Sequence, residues 1–405
     1  MAGVFAFCCL AVAQNAQTGT AFVATPVGAP IVVFDPRRDA CDGHDVPDVP
    51  LRAYRDDRGL IRAFALHFEN RRLSGPSLLA LKPECRVVFR GSGNPDPEKF
   101  DDRSWIAATW TPDGKTIHAL VHHEFQANEH PGRCAFSQYI QCWWNAILGV
   151  RSGDGGQSFV KLPSPVVAAT PFGSEHDQGR HRGFFNPSNI VARDGAFYTL
   201  IGTTGWNAGQ GPSRSGPSRS GPSRLGDQPG SVCLFRSTDL ARGDWRGFDG
   251  KDYSARFPNP YGGNLPEAQT CQGIAPFPAP VGGIVRHRPS GMYLAVYQAA
   301  AGSADGRGGR LSESGFYLSS SKNLLTWRAP TLIFATKSFY DSACGADVVR
   351  NYPVLIDDRA ETRNFEDIGD EAMLFFSQTR VEGCTPTSDR QLIARKVRIS
   401  TFIGE

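Results

Sequence analysis

The segment Val121-His-His-Glu-Phe125 places an acid at the end of an apolar run. A carboxyl group withdrawn from water resists ionisation, so Glu124 is suited to hold a proton near neutrality and release it as a general acid. A second carboxylate in a more polar setting would complete an acid–base pair. Three others sit where strands begin or connections end: Asp48 in Asp48-Val-Pro-Leu, Asp102 in Phe100-Asp-Asp-Arg-Ser-Trp105, and Glu267 in Leu-Pro-Glu267-Ala-Gln. The candidate catalytic set is therefore Asp48, Asp102, Glu124 and Glu267. The plainer alternatives are that Asp101 and Asp102 pair with Arg103 and that Glu124 is a solvated loop residue. His122 and His123 do not read as a metal pair, because neighbours on a strand point to opposite faces, and no metal ligands are assigned. No nucleophile elbow, P-loop, dinucleotide fingerprint or His-Glu-x-x-His occurs, which narrows the reaction class. No cofactor follows from the residues, and a structural calcium stays open.

What must position these groups is a set of short strands. Arg151–Phe159, RSGDGGQSF, is a turn in which Asp154 can bond the nearby backbone, the glycines accept positive φ, and Phe159 returns the chain to an apolar layer. Its Ser-x-Asp-x-Gly-x-Ser-Phe order looks like an Asp-box, the turn between the third and fourth strands of sialidase-like propeller blades. Two degraded versions follow: Ser237-Thr-Asp239-Leu before Trp245, and Ser321-Lys-Asn323-Leu before Trp327. Repetition of a strand, a turn and an aromatic is what a radial fold needs, since one blade cannot cover its own two faces. Gly and Pro are abundant (44 and 29) while Met is scarce (3), a profile of many strands and turns rather than long helices.

The predicted fold is therefore all-β, a five-bladed β-propeller of four-stranded antiparallel blades, forming one domain over 31–405. The blades fall at about 48–92, 105–168, 185–255, 270–336 and 347–400. In the first, the later strands are expected at Leu78–Leu81 and Arg86–Arg90; the fourth is expected to open on Ile274–Phe277. Ala29–Phe34 is expected to complete the last blade, after a disordered leader over 14–30. The repeat Gly-Pro-Ser-Arg-Ser within 210–228 has no apolar residue and reads as a disordered loop.

Residues 1–13 form a short apolar run ending in Ala11-Val-Ala13, which resembles a secretory signal peptide with a truncated charged region. No other run approaches a membrane span. Export, to the medium or a periplasm, also accounts for the cysteines. Eight lie beyond that run, none in a Cys-x-x-Cys, so disulfides are expected, Cys134–Cys142 and Cys344–Cys384 first among them. The net charge of +3 is spread along the chain and gives no sign of a nucleic-acid partner. Oligomeric state stays open.

A propeller gathers side chains at one end of its axis, from the starts of first strands and the ends of second strands. That rule selects Arg52, His67, His122, Asn186, Trp206, Gln298, Tyr352 and Arg380 as substrate-binding candidates. Amides and charges match hydroxyl pairs and aromatic faces stack on sugar rings, so the partner expected is a carbohydrate. With the strand, Ser-x-Asp-Leu and Trp phrases in place, the chain from Asp48 onward resembles the five-bladed glycoside hydrolases, the superfamily of arabinanases, β-xylosidases and invertases. The resemblance implies a secreted glycosidase acting on a poly- or oligosaccharide, with Asp48 as base or nucleophile and Asp102 in support. Two alternatives are kept: a non-catalytic propeller that binds glycan or protein, and a sialidase or polysaccharide lyase using Tyr352 with histidine and arginine.

Overall fold

The computed structural model describes residues 20–207, 226–262 and 269–403. The signal-like segment, most of the Gly-Pro-Ser-Arg tract and Glu267 lie outside the described residues. What is described is nearly all β; its one α-helix is the single turn Pro36–Asp39. Consecutive strands form antiparallel meanders: Pro47–Arg55, Ile61–Leu66, Arg71–Gly75 and Lys82–Val87; then Arg103–Trp110, Ile117–Gln126, Trp143–Ser152 and Val160–Ala168. Further meanders are built on Ala196–Thr203 and Ser231–Ser237, on Val281–His287 through Thr331–Ala335, and on Val348–Ile356 through Thr385–Ile403.

The apolar core lies between the sheets. Successive clusters join neighbouring meanders: Tyr54 and Phe64 with Ile106 and Trp144, Ile147 with Phe184 and Phe235, Leu234 with Ile284 and Tyr297, and Leu318 with Leu355 and Phe376. A further cluster joins Leu51 and Ile61 to Val354 and Phe375, so the last meander packs on the first. This ring-like packing is propeller-like: each sheet is apolar on both faces and needs a neighbour on each. Near the axis the strands approach so closely that a Cβ on Gly282 would lie 1.8 Å from the Pro353 carbonyl oxygen.

Arg52 ties the centre together. It is 2% exposed and donates from Nε to Ala107 O, from Nη1 to Gly282 O (2.6 Å) and from Nη2 to Pro187 O (3.0 Å). Its guanidinium thus links the first meander to the next three. The expectation that Arg52 binds substrate is corrected: its donors are spent on backbone carbonyls.

Other expectations change too. Thr20–Pro26, read as disordered leader, is a strand paired along Thr385–Ile403, because Phe22 and Ala24 have an apolar layer to fill beside Val285 and Ile399. Ile31–Phe34 also pairs with that last strand. The first meander uses Arg71–Gly75, whereas Leu78–Ala80 is a 3-10 turn and the last strand is Lys82–Val87. The fourth opens on Val281–His287; Ile274–Phe277 precedes Pro278 and Pro280, which lack the N–H a ladder needs.

The turn after Trp143–Ser152 is organised by its aspartate. Gln157 N and Ser158 N donate to Asp154 Oδ1 at 2.9 and 3.0 Å, Ser158 Oγ donates to Oδ2, and Gly155 and Gly156 adopt positive φ. Phe159 then packs edge-on against Phe64. Asn323 repeats the device, receiving Leu325 N and Thr326 N. Disulfides join Cys41–Cys85, Cys134–Cys142, Cys233–Cys271 and Cys344–Cys384.

Candidate functional site

Asp48, at the start of Pro47–Arg55, is partly buried among donors. Its Oδ1 receives Arg390 Nη1 and the Tyr352 hydroxyl (3.2 Å), and its Oδ2 lies 3.3 Å from His67 Nε2. Groups from the first and last meanders therefore converge on one carboxylate. Burial holds His67 down to about 4, so near neutrality it stands beside Asp48 as a neutral ring rather than a cation. Burial also drives the Tyr352 hydroxyl well above its usual range, so it keeps its proton and donates.

Glu124 comes from the next meander, on Ile117–Gln126. Alternation along that strand puts His122, Glu124 and Gln126 on one face and His123 on the other. Gln126 Nε2 donates to Glu124 Oε2 at 2.8 Å, while His123 turns away to Ser104 at 3.2 Å. Burial pushes Glu124 up to about 8, and the nearby Asp48 charge pushes in the same direction. Two carboxyl groups thus share one end of the axis in unlike settings: one surrounded by a guanidinium and two donors, the other desolvated.

Beside Glu124 runs a chain of polar contacts. His181 Nε2 meets Asn145 Oδ1, Asn145 Nδ2 donates to His122 Nε2 at 2.7 Å, and His122 Nδ1 meets Asn186 Oδ1 at 2.7 Å. With the Asn145 and Asn186 amides oriented in this way, His122 carries its proton on Nδ1 and His181 on Nε2. Burial lowers His122 to about 4 and His181 to about 3, in keeping with neutral rings. Both nitrogens of His122 are occupied, so it holds Asn186 and does not itself meet a ligand. Asn186, Gln298, Tyr340 and Tyr352 line a cleft at this end. Gln298 is fixed there by Tyr352 N (3.0 Å) and Asn351 Oδ1 (3.2 Å).

Other sequence candidates lie elsewhere. Asp102 Oδ2 accepts from Gln126 N and contacts His130 Nε2, both at 2.9 Å, and so fixes the end of the Glu124 strand. Trp206 is core, packed with Phe184 and Phe257 and paired through its backbone with buried Gln228, which also ends the expected disordered loop before 228. Arg380 is exposed and pairs with Glu382 at 3.9 Å. Sequence reasoning missed Arg390, His181 and Asn145. Arg390 belongs to the third strand of its meander, which the rule of first-strand starts and second-strand ends never samples. Its signal is a basic residue two positions before the apolar run Leu392–Ala394.

No family model matches the chain, and no curated protein matches it. Among solved structures it is similar to Zg3597, a family 117 glycoside hydrolase from the marine bacterium Zobellia galactanivorans. That match has 9% identity over 93% of this chain and 90% of that one, with a TM-score of 0.51. It is also similar to a glycosyl hydrolase from Bacteroides ovatus (11% identity, 95% and 91% covered, TM-score 0.45) and to an N-acetylgalactosamine deacetylase from F. plautii (10%, 94% and 96%, 0.45). At such identities the likeness is one of fold, and the first of the three carries it.

Proposed function

We propose that the chain is an exported glycoside hydrolase, a single five-bladed β-propeller that cleaves a glycosidic bond between Asp48 and Glu124. The observation that carries the reading is the pair itself. Glycoside hydrolysis needs one carboxyl group protonated near neutrality to give its proton to the leaving oxygen, and a second, charged, to act on the sugar or a water. Glu124, buried and pushed up to about 8, suits the first role. Asp48, held by Arg390, Tyr352 and His67, suits the second. Asn186 and Gln298 on the cleft supply amides for hydroxyl groups. Asp102 supports from the strand end, and the Ser152–Phe159 turn is read as an Asp-box. The four disulfides favour an oxidising compartment.

The tyrosine-based alternative is less favoured, since Tyr352 retains its proton and gives its hydrogen bond to Asp48. The test is reducing-sugar release from a broad polysaccharide panel by the parent, Asp48→Asn and Glu124→Gln. Release by the parent should fall on the order of 100- to 10,000-fold in each variant. Release that both variants preserve would refute the residue assignment, and glycan binding without release would favour a non-catalytic propeller.

A further inference from the structure

Large aromatic side chains that stay open to water are few among the described residues, and two of them are tyrosines: Tyr139, 51% exposed, and Tyr340, 68% exposed. Isolated exposed aromatics carry little meaning, but these two are not isolated. Each lies within electrostatic reach of Glu124 and Asp48, and Tyr340 lies within reach of Tyr139. They come from parts of the chain about 200 residues apart yet act on the same two carboxyl groups. Tyr340 lines the cleft with Asn186, Gln298 and Tyr352. Tyr139 leans on Trp143 with ring centroids 5.7 Å apart, and Trp143 stacks on His181 at 4.4 Å.

Both loops are restrained beyond what an exposed tip requires. Tyr139 sits inside the small ring closed by Cys134–Cys142, and Ala135 N donates to His176 O at 2.8 Å. The Tyr340 loop is held by Asp341, which receives Ser338 N (2.8 Å) and Ser314 Oγ (2.7 Å), and by the Cys344–Cys384 bridge just beyond. Prior restraint removes part of the ordering cost that a ligand would otherwise meet. A tyrosine face with a hydroxyl at its edge fits a sugar ring, whose faces carry C–H groups and whose edge carries hydroxyls.

We infer that Tyr139 and Tyr340 form a rim subsite that stacks on the sugar ring next to the one held at Asp48 and Glu124. The ligand class is then an oligo- or polysaccharide of at least two rings, and not a monosaccharide conjugate. This rests on the carbohydrate reading of the axial site.

The test measures retention in gels containing each polysaccharide of the panel, with Glu124→Gln as the background, together with release by the otherwise unaltered enzyme. Tyr139→Ala and Tyr340→Ala should each weaken retention about ten-fold, while Tyr139→Phe and Tyr340→Phe, which keep the stacking face, stay near the parent. Thermal unfolding of each variant checks that the fold is intact. Unchanged retention and release in the alanine variants would overturn the rim subsite and leave hydrolysis standing. Retention lost in those variants, with no release by the parent on any polymer, would support the rim and overturn hydrolysis. A parent that neither binds nor cleaves any polymer would overturn both.

Discussion

At one end of the axis Glu124 lies beside a cleft; at the other, Glu366 lies in a strap of chain, residues 357–368, drawn across the ends of the inner strands. Burial raises both acids, Glu124 to about 8 and Glu366 to about 7. Their surroundings differ. Arg363 O accepts from Arg55 N at 2.9 Å, Asn364 exchanges bonds with Thr111 (2.8 and 2.9 Å), and Glu366 accepts from Ala192 N through its side chain and from Arg286 N through its carbonyl. Arg288 pairs with Asp367. The strap thus sews four meanders together, with its polar groups consumed by backbone partners. At the open end the protein leaves His67 Nδ1, Trp105 Nε1 and Asn351 Nδ2 without protein partners, and the charge of a second carboxylate, Asp48, acts on Glu124. A raised carboxyl alone therefore does not mark a site. What distinguishes Glu124 is the Asp48 carboxylate gathered by Arg390 and Tyr352 from another meander, since the Asp367 charge raises Glu366 as well.

The largest effect expected from this contrast is on turnover. If Glu124 must be protonated to act, activity on a cleaved polymer falls as pH rises through about 8, roughly ten-fold per unit beyond it. A pH–rate profile checks this, and a limb set instead near 7 would point to Glu366 and erase the contrast.

A smaller effect concerns stability. Glu124 stays protonated in the fold up to about 8, whereas in the unfolded chain it ionises near 4.5. Between those values the unfolded chain loses a proton that the fold keeps, so the buried acid progressively destabilises the fold, fully so above about 8. Glu124→Gln, which can still accept from Gln126, should stabilise by about 3 to 5 kcal/mol in that upper range and by nothing below 4.5, read by denaturant unfolding at both extremes. Equal stabilisation at both would show that packing, not ionisation, is responsible.

At the closed end, Asn364→Ala removes both bonds to Thr111 and should cost about 1 to 3 kcal/mol of stability with turnover per folded molecule retained. Glu366→Gln should shift stability less than Glu124→Gln, because its carboxyl is raised less, in the stabilising direction above about 7 and by nothing below 4.5, also without loss of turnover. Loss of activity in folded Glu366→Gln would move the functional end of the molecule.

Much of this arrangement is legible in the sequence, because local chemistry dictates it. The Asp154 turn, the aromatic return at Phe159 and the apolar strand that ends at Glu124 depend on neighbours in the chain. What escapes depends on partners far away. Arg71 and Arg72 hide the apolar pattern of Arg71–Gly75, and they are tolerated there only because Asp45 and Glu84 pair with them. Arg52 looks like a ligand-binding residue until three carbonyls from other meanders are seen around it. Thr20–Pro26 has an apolar middle, Ala21–Ala24, but nothing in its own residues says that it pairs with a last strand more than 370 residues along the chain. Arg390 reaches Asp48 from more than 300 residues along the chain, and no local pattern joins the two.

Whether Glu124 is kept protonated beside the Asp48 charge can be measured without knowing the substrate. Difference infrared spectroscopy of the carboxyl stretch, parent minus Glu124→Gln, would follow that one group from about pH 4 to about pH 9. A protonated carboxyl band should persist through neutrality, disappear near 8, and disappear at lower pH in Asp48→Asn, where the neighbouring charge is gone. A band lost near 4.5, or one indifferent to Asp48→Asn, would contradict it.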